Sequence, residues 1–151
     1  MLGIVSDTHG LVRNEALEAL RGVDLIIHAG DVGGSTVLPA LQAIAPVVAV
    51  RGNVDADPSI ARLPQTATVE AEPLLIYILH DLNQLNFDPL TTGFHIIISG
   101  HTHRPSVIRQ GQVLYLNPGS LGPKRFRLPV SLALLRLRGS QSEPKILNLN
   151  L

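Results

Sequence analysis

The sequence predicts one α/β domain built from two packed β-sheets with helices outside. Short apolar runs such as "MLGIV", "DLIIHA" and "HIIIS" read as buried strands. In the first third of the chain these runs alternate with helical patterns, as in a parallel sheet covered on both faces. No repeat, low-complexity tract or linker breaks the 151 residues, so a single domain over 1–151 is expected.

The elements follow in order. Residues 1–5 form the first strand, ended by Ser-Asp. Asn14 can cap a helix over 15–21, with Leu17 and Leu20 on one face and Gly22 as its stop. Residues 24–29 are the second strand, and "GDVGG" is a glycine-rich loop. A second helix runs from Thr36 to Ala45, with Pro39 tolerated in its first turn and Pro46 preventing continuation. "VVAVR" at 47–51 is the third strand. Residues 67–71, 74–80 and 95–99 read as strands, with a short helix over 83–93. "SVIRQ" and "VLYLN" flank Gly111 as a hairpin. Residues 130–138 alternate like a half-exposed strand, "GSQSEP" is a turn, and 145–151 is the last strand. Exposed apolar strands in this second half suggest a homodimer.

Composition narrows the function classes. Hydrophobic residues make up 45% and charged residues 16%, which suits a packed core rather than a disordered chain. Twelve basic and twelve acidic side chains cancel, so the overall balance calls for neither nucleic acid nor an anionic membrane. The small cluster Lys124, Arg125, Arg127 reads as a solvated loop. There is no cysteine, so disulfides and thiolate zinc sites are excluded. Any metal site must draw on His, Asp, Glu and Asn. "MLGIVSDTHG" turns polar too soon for a signal peptide or membrane span, and a cytoplasmic setting is expected.

Ligand-type residues follow directly on five apolar strands. They are Asp7 and His9, Asp31, Asn53 and Asp55, His80 and Asp81, and His101 and His103. Singly, each has an ordinary reading as a helix cap, a turn residue or an edge histidine. Together they point to one site, because strand carboxyl ends are where such sheets bind ligands. Imidazole with carboxylate suits zinc, manganese, iron or nickel. The set is too large for one ordinary ion and suits two ions sharing a carboxylate. Glycines before Asp31, Asn53 and His101 let the backbone approach closely. His28 lies inside a strand and reads as structural, and His95 faces solvent or a loop. Asn117 and Ser120 of "NPGS" fix a turn near the site.

"DTHG", "GDVGG", "RGNVD", strand-end His80, "GHTHRP" and "NPGS" resemble, in their order, the calcineurin-like metallophosphoesterase family, and its small single-domain phosphodiesterase branch in particular. The resemblance implies an αββα sandwich of two mixed sheets. It implies a hydrolase with two divalent transition-metal ions, manganese before nickel, zinc or iron, and a bridging hydroxide acting on a small phosphate ester. Asp7, His9, Asp31 and His103 would hold the first ion. Asp31, Asn53, His80 and His101 would hold the second, with Asp31 bridging. Asp31, Asn53, His9 and Asp55 form the implied catalytic set, Asp55 acting by orienting a ligand. The chain departs from the family pattern twice. Val54 stands where many members carry a histidine that binds phosphate or protonates the leaving group, which tilts the expectation towards diesters. Asp81 stands where the family usually has glycine. The same fold also serves as a non-catalytic protein-interaction scaffold in a retromer subunit, the alternative expectation.

Overall fold

The computed structural model describes residues 1–149. Among the described residues ten strands form two five-stranded sheets. The first sheet contains β1 (Leu2–Val5), β2 (Leu25–His28), β3 (Val47–Ala49), β9 (Ser131–Arg138) and β10 (Gln141–Asn148), in the order β10-β9-β1-β2-β3. The second contains β4 (Thr66–Ala71), β5 (Leu74–Leu79), β6 (Ile96–Ile98), β7 (Ser106–Gln110) and β8 (Val113–Asn117), in the order β4-β5-β6-β8-β7. Both sheets are mixed. β1, β2 and β3 run parallel, as do β5, β6 and β8, while β9, β10, β4 and β7 pair antiparallel with their neighbours.

The sheets pack face to face over Ile4, Ile27, Ile76, Ile78, Ile96 and Ile98, all fully buried. Burying each such side chain contributes about 2 kcal/mol relative to leaving it in water. The other face of the first sheet is covered by α1 (Asn14–Ala19) and α2 (Val37–Gln42), which bury Ala16, Val37 and Leu41 against Val5, Ile26 and Leu132. Among the described residues no helix is long and apolar enough to cross a membrane.

Several elements differ from expectation. Asn14 lies inside α1 rather than capping it, and the cap position falls to extended Arg13, whose side chain makes no cap bond. Arg13 instead donates to the carbonyls of Leu121 (3.1 Å) and Gly122 (2.9 Å), which ties the helix start to the segment after "NPGS". α2 stops at Gln42 because Ile44 and Ala45 turn back to the Leu41 carbonyl ahead of Pro46, which disfavours helix in the residue before it. The helix expected over 83–93 is a single 3-10 turn, Leu82–Gln84, followed by turns. Asp81 and Asp88 each accept the backbone N–H two residues on, offering the chain local bonds that compete with a helix. Tyr77 meets Phe87 and Phe94 edge-on there, and Tyr77 and Phe94 pack on the outer face of the second sheet without helical backbone.

β9 is not half-exposed along its length. Ser131, Leu132 and Ala133 are buried because β1 and β10 flank the strand on both sides and both of its faces are covered. β10 begins at Gln141, so the turn shrinks to Gly139 and Ser140. Pro144 is tolerated because β10 is an edge strand with one free side. The end of the strand expected over 145–151 falls partly outside the described residues.

Candidate metal centre

The parallel strands of both sheets end at the same edge, and their loops bring the ligand-type side chains together. Asp7 and His9 follow β1, Asp31 follows β2, Asn53 and Asp55 follow β3, His80 follows β5, and His101 and His103 follow β6. Asp7, His9, Asp31, His101 and His103 all adopt positive φ, between 48° and 72°. Left-handed backbone is uncommon for residues other than glycine and costs of order 1–3 kcal/mol at each position. Five ligand-type residues sharing it means the loops are bent to aim side chains at one point. Gly52 and Gly100 permit the close approach. A Cβ on Gly52 would overlap Asp31 Oδ1, and one on Gly100 would overlap Ser6 Oγ.

Two groups of ligand atoms converge, Asp7 with His9 and His103, and Asp7 with Asp31 and His80. Asp7 therefore belongs to both. One of its oxygens is fully engaged, since Oδ2 accepts from Ser6 Oγ (2.6 Å) and the His101 N–H (3.0 Å). The other, Oδ1, is buried without a hydrogen-bond partner. Around it stand His103 Nε2 at 3.3 Å and the Nε2 atoms of His9 and His80, each at 3.8 Å. Asp31 repeats the arrangement. Its Oδ1 accepts the Val54 N–H (3.1 Å), while Oδ2 lies 3.2 Å from His80 Nε2 and 3.8 Å from His9 Nε2. Each carboxylate thus has one oxygen held by the protein and one aimed among imidazole nitrogens.

His80 is oriented from behind. Its Nδ1–H donates to the Ala29 carbonyl (2.7 Å), which turns Nε2 towards the two carboxylates. The Asn53 carboxamide points to the same place, 3.2 Å from Asp31 Oδ2 and 3.0 Å from His80 Nε2. With its nitrogen forward it donates to both. With its oxygen forward it adds a third electron-pair donor, the orientation a cation selects. His101 stands at the rim, its ring 5.2 Å from that of His80 and its Nε2 3.9 Å from Asp81 Oδ2.

The electrostatics favour a cation. Burial pushes the Asp7 carboxyl above the usual carboxylate range, against the Ser6 hydrogen bond and the charges of His80 and His103. Burial likewise lowers His103. For Asp31 burial is again the largest influence and acts upward, but hydrogen bonds from His80 and the Val54 N–H outweigh it and hold the group at about 2. Burial pulls His80 down, yet its bonds to Asp31 and Ala29 win and raise it. An electron-rich, desolvated set of this kind is stabilised by divalent ions. The orphaned Asp7 Oδ1 and the opposed Asn53, Asp31 and His80 atoms fit such ions.

Three residues hold the site without entering it. Asp55 is buried and accepts the N–H groups of Val32 (3.2 Å), Gly33 (3.0 Å) and Gly52 (2.9 Å), clamping the Asp31 loop to the Asn53 loop. Ser120 Oγ donates to the Asp7 carbonyl, and Asn117 Nδ2 to that of Gly100. His28, fully buried, accepts from the Gly30 N–H at Nδ1 and bonds Thr8 Oγ1 at Nε2. It is therefore a neutral structural imidazole, and burial lowers its pKa to about 4. His95, half-buried, accepts the Leu75 N–H. Sequence reasoning missed Ser6, Thr8 and the cavity residues Arg51, Gln65 and Gln84. Ser6 and Thr8 flank Asp7 in "SDTHG", but nothing in their spacing shows which atoms they bond.

Residues 1–140 match the calcineurin-like phosphoesterase superfamily domain. The chain belongs to that superfamily. It is 33% identical to a probable metallophosphoesterase of Methanothermobacter thermautotrophicus, over 97% of this chain and 91% of that one. It is 29% identical to the phosphodiesterase YfcE of Escherichia coli, over 89% and 86%. The solved structure of Vps29 from Chaetomium thermophilum superposes with a TM-score of 0.79 over 98% of this chain and 94% of that one. At 14% identity that likeness shows the fold alone. The fold is the superfamily's α/β sandwich of two mixed sheets, with turns in place of most of the helical cover on the second.

Proposed function

We propose that this member of the calcineurin-like superfamily is a metal-dependent phosphodiesterase working through a dinuclear centre. The reading rests on one observation: two carboxylates, each with one tethered oxygen and one oxygen set among imidazole nitrogens, at the common edge of two sheets. Asp7, His9, Asp31 and His103 would hold one ion, and Asp31, Asn53, His80 and His101 the other. Two such ions, manganese first among them, would activate a water as nucleophile and would offset charge on the phosphoryl oxygens.

The chain's own residues do the rest. The Ala29 carbonyl keeps His80 Nε2 facing inward. Ser6 and the His101 N–H fix the Asp7 carboxylate, and Asp55 keeps Asp31 and Asn53 at a constant separation by holding their loops. Asp55 is thus a positioning residue. A cavity of about 360 Å³ opens beside Asn53, His80 and His101, with Arg51, Gln65 and Gln84 in its wall, and receives a small phosphate ester. Val54, half-exposed at the rim, has no proton to give. Leaving groups that depart as stable anions suit such a site, which favours diesters with good leaving groups. A cytoplasmic setting belongs to the same reading.

The test is hydrolysis of bis-p-nitrophenyl phosphate with added manganese. Turnover is expected. Its absence with manganese, nickel, zinc or iron, in protein shown to carry two ions, would sink the reading. The scaffold alternative draws on the fold shared with Vps29. Metal analysis separates the two: about two tightly held ions per chain support the enzyme, and none supports the scaffold.

A further inference from the structure

The neutral overall charge conceals a local imbalance. Arg104, Lys124, Arg125 and Arg127 are four of the chain's twelve basic residues, and all are exposed. Among the described residues none of their side chains makes a salt bridge or hydrogen bond. Lys124 and Arg125 line the same crevice as His103 and Ser120, which places them on the flank of the metal centre away from the Asn53 cavity. Arg104 and Arg127 line an adjoining open cavity of about 720 Å³ together with Phe126 and Leu128. Phe126 is 96% exposed and has φ 51°, a backbone state that is a genuine outlier for a bulky side chain. Nothing in the core uses this ring. The loop holds it out among cations at a cost in strain.

A single scissile diester carries one negative charge, which the metal centre itself answers. Two further unpaired cations on its flank and two more in the adjoining cavity call for more anionic charge. Guanidinium groups suit phosphate oxygens, and an exposed aromatic face among cations suits a nucleobase. We propose that Arg104 and the Lys124–Leu128 loop form a substrate subsite, in which the cations take a phosphate beyond the scissile one and Phe126 stacks on a base. The substrate class is a phosphodiester of nucleotides carrying a second phosphate. The proposal rests on the phosphoesterase reading for the reaction, but not for binding.

The experiment compares bis-p-nitrophenyl phosphate with 5′-phosphorylated thymidine dinucleotide in the metal-loaded wild type and in R125A/R127A, R125K/R127K and F126A. For R125A/R127A the ratio of kcat/KM, dinucleotide over bis-p-nitrophenyl phosphate, is expected to fall at least about tenfold. The double lysine variant should keep most of the ratio, and F126A should lower it about fivefold through KM. In wild type the ratio should fall as salt rises. Unchanged ratios in both alanine variants, or a ratio insensitive to salt, overturn the proposal. A phosphorylated twelve-mer distinguishes the ligand's source: turnover rising with length supports a strand, and equal turnover supports a small nucleotide. Calorimetric titration with thymidine 3′,5′-bisphosphate reads binding alone. Binding lost in R125A/R127A supports the subsite even if no diester is hydrolysed, an outcome that rejects only the phosphodiesterase reading.

Discussion

Asp7, His9 and His103 stand in a closed pocket, with side-chain exposures of 0%, 20% and 7%, whereas Asn53 and His101 stand open at the cavity wall, His101 at 40%. The closed half is sealed by the loops that carry it, with Asp7 anchored by Ser6, Ser120 and the His101 N–H. The open half has few such anchors. Asn53 follows a glycine, and beside the His101 ring stand the His80 ring and a distant carboxylate, neither of which anchors it by a hydrogen bond. Asp31 and His80 lie between. The difference separates two demands on one site. Retention of an ion asks for desolvated, preset ligands, while entry of a substrate asks for an uncovered wall.

The largest effect should come from Asp31, the carboxylate proposed to be shared between the two ions. Asp31→Asn keeps an oxygen for the Val54 N–H but removes the charge, and kcat on bis-p-nitrophenyl phosphate is expected to drop about a thousandfold. Activity within tenfold of wild type would show that the halves work independently.

Acid should attack the closed half from behind. Folded His28 stays neutral down to about pH 4, while an unfolded imidazole takes its proton near 6.5. Between those values the unfolded chain binds the extra proton, so stability falls as pH falls, by roughly 3 kcal/mol in all. Denaturant melts of wild type and His28→Gln at pH 7 and pH 4.5 isolate this contribution, which the variant should lack. Equal losses in both would remove His28 from the account.

The contrast sharpens with a pair of histidines. His101→Ala is expected to weaken one of the two ions at least about tenfold and to spare the other. His103→Ala, in the closed half, should leave protein that purifies with fewer than two ions. Metal analysis after dialysis decides, and identical ion loss in the two variants would erase the distinction. Asp81→Gly should do least. Its Oδ2 is beyond hydrogen-bond reach of His101, and its Oδ1 serves only a surface turn. A change below about threefold in kcat/KM and under about 1 kcal/mol in stability is expected. A larger loss of activity at unchanged stability would make Asp81 part of the open half.

Much of this was legible in the residues. Strand ends carrying Asp7, Asp31, His80 and His101 announced themselves because apolar runs stop abruptly at polar, glycine-rich steps. The helices read less well. The Arg13 bonds that set the start of α1 reach residues more than a hundred positions away, which no local pattern shows. Aspartates 81 and 88 took backbone donors that a helix would need. β9 looked half-exposed because the covering of its second face comes from elements distant in sequence. The positive φ values of the candidate ligands are invisible in the sequence, since aspartate and histidine carry no mark of them in one-letter form. The cluster Lys124, Arg125, Arg127 is solvent-facing, as its composition suggests, and only the fold places Lys124 and Arg125 beside His103.

One feature of the sheet order bears on time. β1 carries the first loop of the candidate site, yet its neighbours are β2, made soon after it, and β9, made after all the loops that carry the candidate ligands. Until β9 inserts, one edge of β1 has no partner. Such distant pairing is slow, and a bare apolar edge invites association meanwhile. The sheet that carries the Asp7 and Asp31 loops therefore closes only when the C-terminal strands are made.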